Sequence, residues 1–297
     1  QIGGGFSRYS TDDFWLAPHF EKMLYDNAML LYVYAEAYQV TGKQEYRKTA
    51  ERTAGYVLRE LTHGDGGFFC GQDADSEGEE GKYYTFTPDE VLAVLGERDG
   101  ARFNAQYDMT PEGNFEGKSI PNRLAGGEEA DAAVLEKLYR YRLERTALHK
   151  DDKILTAWNG LMIAALAKAG RVFENRAYLE AAEHAWEFVR ERLMAPDGTL
   201  AVRWRDGETA GEGKLDDYAC LTWALLELYA AEYDAELLAE ALRLAELMVE
   251  KFFDAENGGF YLYSSDGEQL ISRPKEVYDG ASPSGNSVAA VVLWRLS

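Results

Sequence analysis

The sequence predicts an all-α fold, an α/α toroid in which parallel inner helices sit inside antiparallel outer ones. Four short polar clusters carry this reading: Tyr25-Asp26-Asn27-Ala28, Ala157-Trp158-Asn159-Gly160, Asp216-Asp217-Tyr218-Ala219 and Ser284-Gly285-Asn286-Ser287. Each stands at the start of a segment apolar almost all round, as a helix covered on every side must be. Aligned on Asn27, Asn159, Tyr218 and Asn286, they are 132, 59 and 68 residues apart. The first step is about twice the others, so one degenerate copy is expected between them. A period of roughly 60–66 residues with two helices per period is the signature of a hairpin array.

The elements follow in order. Residues 20–41 place Phe20, Met23, Leu24, Leu30, Leu31, Val33, Tyr34 and Ala37 around the whole wheel, which makes an inner helix. Tyr46, Ala50, Thr53, Val57 and Leu61 then recur at i+3/i+4 against a charged face, which makes an outer one. The alternation returns with uncharged 155–167 before a stripe of Tyr178, Ala182, Ala185, Val189 and Leu193. It returns again with 218–231 before Leu238, Ala241, Ala245, Met248 and Phe252. Short connections make the two helices of each pair antiparallel. After each outer helix a Gly turn leads into a β-like excursion at 66–69, 197–202 and 258–263. The irregular second copy begins a helix at Thr87-Pro88-Asp89-Glu90 that runs to Leu95. A loop with Pro111, Gly113, Gly117 and Pro121 follows, then a charged outer helix over about 128–147. The reading is four hairpins and the start of a fifth, in a single domain over 1–297 that is incomplete as a ring and a fragment of a longer chain.

Composition narrows the partners. A net charge of −21, from 31 basic and 52 acidic residues, argues against nucleic acid and anionic membrane surfaces. The longest uncharged inner segment stops at Lys168, far short of a membrane span. Cys70 and Cys220 lie 150 residues apart with no C-x-x-C pair, which suits a reduced, cytoplasmic protein. No phosphate loop, G-x-S-x-G elbow or H-E-x-x-H is present. An open flank is expected where hairpins are missing, covered by a second copy or by the missing chain.

Several runs in order resemble one family. They are Gly4-Gly5-Phe6-Ser7-Arg8-Tyr9-Ser10, 15–27 from Trp15 to Asn27, Asp73-Ala74-Asp75-Ser76-Glu77-Gly78 with Gly81-Lys82-Tyr83-Tyr84, 155–160, 215–219, and Asp279-Gly280-Ala281 with 283–287. Together they are similar to the thioredoxin-domain-containing, spermatogenesis-associated protein family (YyaL-like proteins in bacteria). The resemblance implies an (α/α)6-type, six-hairpin toroid like that of glycosidases and N-acylglucosamine 2-epimerases. It also implies a thioredoxin-like domain N-terminal to this stretch, and nothing in these residues carries that domain's redox chemistry.

Parallel inner helices gather their starts at one mouth. There Asp26, Asn27, Trp158, Asn159, Asp216, Asp217, Tyr218 and Asn286 are expected, joined from the loops by His19, Glu21, Asp73, Asp75, Glu77 and Asp279. Carboxylates among aromatic rings suit carbohydrate, with acids for proton transfer and rings for stacking. Trp15, Trp158 and Trp204 are the expected platforms. Asp and Asn are also ordinary helix caps, so the same residues have a structural reading. Adjacent Asp216 and Asp217 cannot both cap one helix, so one should enter the mouth. Asp26, Asp216, Asp217 and His19 are therefore the catalytic candidates, with Asn27, Trp158, Asn159, Tyr218, Asp73, Asp75 and Asn286 to bind a small-molecule or oligosaccharide substrate. The acidic loop from Asp73 lacks a Glu at its twelfth position, Tyr84, so it is no EF-hand; neither metal nor cofactor is expected. His63, His149 and His184 read as surface residues. With His19 alone near the mouth, hydrolysis ranks ahead of epimerisation. The rival reading is a non-catalytic toroid that binds a peptide or protein, or assists an attached thioredoxin-like domain.

Overall fold

The computed structural model describes residues 2–267 and 271–297, and helix dominates them. In chain order the α-helices are α1 (Leu24–Thr41), α2 (Gln44–Tyr56), α3 (Pro88–Leu95), α4 (Glu97–Gln106), α5 (Ala132–Arg145), α6 (Thr156–Phe173), α7 (Arg176–Arg192), α8 (Leu215–Glu232), α9 (Ala235–Phe252) and α10 (Gly285–Leu296). The strands are short: β1 (Lys22–Met23), β2 (Gly71–Gln72), β3 (Asp75–Ser76), β4 (Glu79–Glu80), β5 (Lys150–Asp151), β6 (Ile154–Leu155), β7 (Ala201–Arg205) and β8 (Glu208–Glu212). Two compact units result. One combines residues up to Met23 with Gly71–Asp151, the other Leu24–Cys70 with Asp152–Ser297.

The second unit holds the hairpins. Inner helices α1, α6, α8 and α10 pack side by side in that order, and α2, α7 and α9 pack on α1, α6 and α8. Contacts between starts and between ends show that the inner helices run parallel. Tyr25 and Trp158 meet edge to face at 4.8 Å near two starts. Late in the same helices, Lys168 and Glu36 pair at 2.8 Å. Helix α6 is buried without a break over 159–170, as its almost uncharged sequence requires, and Lys168 within it pairs with Glu36. Gly160 lets α8 approach closely, since a Cβ there would stand 2.7 Å from the Cys220 backbone.

Two of the inner helices, α6 and α8, turn into outer ones by the same device. Glu174 and Tyr233 end α6 and α8 at φ 55° and 57°. Asn175 and Asp234 then cap α7 and α9, accepting from the N–H of Ala177 at 3.1 Å and of Glu236 at 2.9 Å. Each outer helix leaves through one antiparallel bridge, Thr62 to Phe68, Met194 to Leu200 and Phe253 to Phe260. The middle excursion grows into the β7–β8 hairpin, which β6 joins as a third strand.

The expected degenerate hairpin does not stand between the first and second inner helices. Helix α1 packs directly on α6, which leaves no place for an intervening inner helix. The irregular stretch instead belongs to the other unit, whose core includes Phe86, Val91, Phe103 and Leu138. The helix expected from Thr87 to Leu95 is α3, closed by a full Thr87–Glu90 capping box. Helix α4 was not foreseen, because only Gly100 and Phe103 of its ten residues are buried. Helix α5 is shorter than the expected 128–147. Strands β1 and β5 flank β2 antiparallel, and the acidic Asp73–Glu77 loop folds into the β3–β4 hairpin.

Candidate functional site at the inner-helix starts

The repeated polar residues turn out to share one task. Asn159, fully buried, accepts from the Phe68 N–H at 2.8 Å and donates to the carbonyls of Phe68 at 3.0 Å and Leu155 at 2.9 Å. Asn286 does the same two repeats later, accepting from the Phe260 N–H at 2.8 Å and donating to the carbonyls of Phe260 at 2.9 Å and Glu276 at 2.8 Å. The Tyr218 hydroxyl accepts from the Leu200 N–H at 3.1 Å. Each inner-helix start thus clamps the excursion that precedes it, and polar atoms expected to orient a substrate are engaged with backbone. Asn27 is likewise fully buried.

Of the adjacent acids, one caps and the other is left over. Asp217, 4% exposed, accepts from the Lys214 N–H at 2.8 Å and from the Ala157 N–H at 2.9 Å. One carboxylate therefore serves the starts of α8 and α6 together. Burial pushes its pKa up to about 7, against the pull of those two N–H groups. Asp216 is the one left over. Its Oδ1 is buried without a regular hydrogen bond and lies against Gly285, where any Cβ would collide with it. Burial raises the Asp216 pKa, the negative charge of Glu276 raises it further, and the Gly285 amide and Lys214 oppose. Asp26 is half-buried in the first turn of α1.

The remaining candidates are placed as follows. Trp158 packs on Tyr25, and Asp279 accepts from the Ser284 N–H at 2.9 Å just ahead of α10. Trp204, an expected platform, packs against His63 at 5.2 Å and Phe188 at 5.3 Å. His63 is consequently not a surface residue but part of an aromatic cluster, whereas His149 and His184 are exposed. In the first unit, His19 stacks on Tyr9 at 5.1 Å with a buried Nδ1 that has no hydrogen-bond partner. There Asp73 accepts from the Asp75 N–H at 3.3 Å, Asp75 and Trp15 are exposed, Glu21 pairs with Arg8 and Glu77 with Lys82.

Two features escaped the sequence reading. Deep along the inner helices, the 2%-exposed Glu227 of α8 takes hydrogen bonds from Tyr32 at 3.1 Å, Trp223 at 3.3 Å and Arg295 at 2.7 Å. Arg171 stands 3.6 Å from its other oxygen. Side chains from α1, α6, α8 and α10 can converge so only on the concave side of their arc. Spacing could not reveal this, because each residue alone looks like an ordinary helix-end charge. The second is a cleft of about 360 Å³ beside the start of α8, bounded by the β7–β8 hairpin and the excursion at Tyr263 and Ser264. Among the described residues no group of three or more His, Cys, Asp or Glu is arranged to hold a metal ion, and no helix is long and apolar enough to cross a membrane.

Comparison with known proteins fits the geometry. No protein-family profile matches the chain. The chain is 34% identical to spermatogenesis-associated protein 20 of Mus musculus over 344 aligned residues, and 34% identical to that of Homo sapiens over 348. Each alignment covers 99% of this chain, which spans 44% of the relative's length, under half. Among solved structures, cellobiose 2-epimerase from Bacillus thermoamylovorans superposes with a TM-score of 0.56 at 13% identity, covering 88% of this chain and 53% of the epimerase. Unsaturated glucuronyl hydrolase from Bacillus sp. GL1 superposes with a TM-score of 0.50 at 18% identity, covering 93% and 59%. At such identities the likeness is one of fold, the six-hairpin α/α toroid. The chain is therefore a homologue of spermatogenesis-associated protein 20 over nearly its whole length, matching 44% of the mouse protein.

Proposed function

We propose that this chain is a carbohydrate-active toroid whose proton-transfer carboxylate is Asp216. The observation that carries the reading is the division of labour at the start of α8. Burial raises both carboxyls in pKa, but Asp217 is consumed by two backbone amides, while Asp216 keeps an oxygen without a regular hydrogen bond. A carboxyl whose pKa is raised by burial is shifted in the direction that a general acid at a glycosidic oxygen requires. Asp26, from another inner-helix start, is the second carboxylate of this reading, and Trp158 a ring for a sugar face. Hydrolysis ranks ahead of epimerisation. Sugar-active proteins on the same fold, the epimerase and hydrolase named above, support the class and not the reaction.

The test is a panel of neutral and acidic disaccharides, followed for reducing-end release and, by NMR, for epimer exchange. Turnover by the parent chain that falls at least about 100-fold in Asp216→Asn, at unchanged thermal stability, is the expected result. Turnover untouched by that substitution, or none on any sugar, would remove the reading. A second reading has its own support, because Asn159, Tyr218, Asn286 and Asp217 all serve the scaffold. In it the toroid binds a peptide or protein, or assists an attached thioredoxin-like domain.

A further inference from the structure

The cleft beside α8 carries two cations that have no ion-pair partner among the described residues. Arg203 of β7 and Lys214, just before α8, both line it, with Glu212 as the one carboxylate in its wall. Among the described residues neither cation makes an ion pair or a side-chain hydrogen bond to a carboxylate, in a chain with 52 acidic residues against 31 basic ones. Lys214 instead holds its ammonium 5.4 Å from the centre of the Tyr263 ring. Lys214 stands two residues before Asp216 in the chain. The cleft's volume of about 360 Å³ fits a sugar ring, and Tyr263 supplies an apolar face with a polar rim.

From this juxtaposition we infer that the cleft is a subsite for a carboxylate-bearing sugar, a hexuronic acid residue, held by Arg203 and Lys214 over Tyr263. The planar guanidinium fork of Arg203 matches a carboxylate, and Lys214 adds a point charge. Two uncommitted cations would gain little from a neutral sugar, whose hydroxyls bind equally well to uncharged groups. Glu212 repels a second negative charge, so one carboxylate and not a polyanion suits the wall. The inference rests on the carbohydrate reading above and adds the class of sugar.

The experiment is calorimetric titration of the chain with D-glucuronate and, separately, D-glucose. Glucuronate is expected to bind at least about five-fold more tightly than glucose, with the preference shrinking as salt rises from ~0.05 to ~0.5 M. Arg203→Met and Lys214→Met should each weaken glucuronate at least about five-fold and leave glucose within about two-fold. Binding of the two sugars within about two-fold of each other in the parent chain, or no binding of either, would overturn the subsite. The salt series needs no variant and decides the matter should either substitution fail to fold. The two proposals fail separately. Glucuronate selectivity without turnover of any disaccharide removes the enzyme and keeps the subsite, while turnover of neutral disaccharides alone does the reverse.

Discussion

At the scale of the residue, Asp216 and Asp217 show what a sequence can and cannot announce. That one acid must cap and the other must not follows from helix geometry alone. Which one does so depends on Ala157, 60 residues earlier, whose N–H only Asp217 reaches. Replacing Asp217 by Ala should strand two buried amides and cost ~2–4 kcal/mol in urea unfolding. Its raised pKa also fixes a sign. The native state holds the proton to a higher pH than the unfolded chain, whose carboxyl titrates near 3.8. This contribution is thus present at acid pH and is lost as pH climbs from about 4 through about 7. Urea midpoints measured at several pH values should fall less steeply across that window in Asp217→Asn than in the parent. Equal slopes would show that Asp217 titrates alike in both states.

At the scale of the element, the clamps explain why the repeat was legible and its purpose was not. Asn27, Asn159, Tyr218 and Asn286 align because they stand at equivalent helix starts. The partner of Asn159 is Phe68, 91 residues away, and no periodicity points there. Excursions after every outer helix were readable from Gly-rich turns, and each has its bridge. The doubled first step misled, since an insertion and a decayed copy lengthen a sequence alike. Asn159→Ala should destabilise by ~2–4 kcal/mol, because three buried backbone groups lose a partner. Tyr218→Phe removes one bond and should cost ~1–2 kcal/mol. Hydrogen exchange at the Phe68 and Leu200 amides should quicken in the respective variants. Unchanged protection would mean that the clamps do not hold the excursions.

At the scale of the whole molecule, the inner helices join through Glu227, its donors Tyr32 and Arg295, and its ion-pair neighbour Arg171. Truncation to Ala removes the buried carboxylate that Tyr32, Trp223 and Arg295 share, so Glu227→Ala should cost ~1.5–3 kcal/mol, and Glu227→Gln less. Guanidinium unfolding of the two variants gives the ranking. Fold class and polarity of the inner helices could be read from residue patterns, whereas this convergence of four helices could not. The two-unit division was equally hidden, because the first unit draws its residues from two separate stretches of chain.

The Asn159 clamp has a companion in the backbone, since the Cys70 N–H donates to the Lys153 carbonyl at 2.9 Å. The hairpin unit leaves the chain at Cys70 and resumes at Asp152, so its exit and re-entry points touch. Whatever lies between them begins and ends at one spot, and the closure entropy of that loop grows only slowly with its length. Insertions of very different size could be threaded through this doorway while α1 stays packed on α6. The place where this toroid can change without being rebuilt is therefore the gap between Cys70 and Lys153.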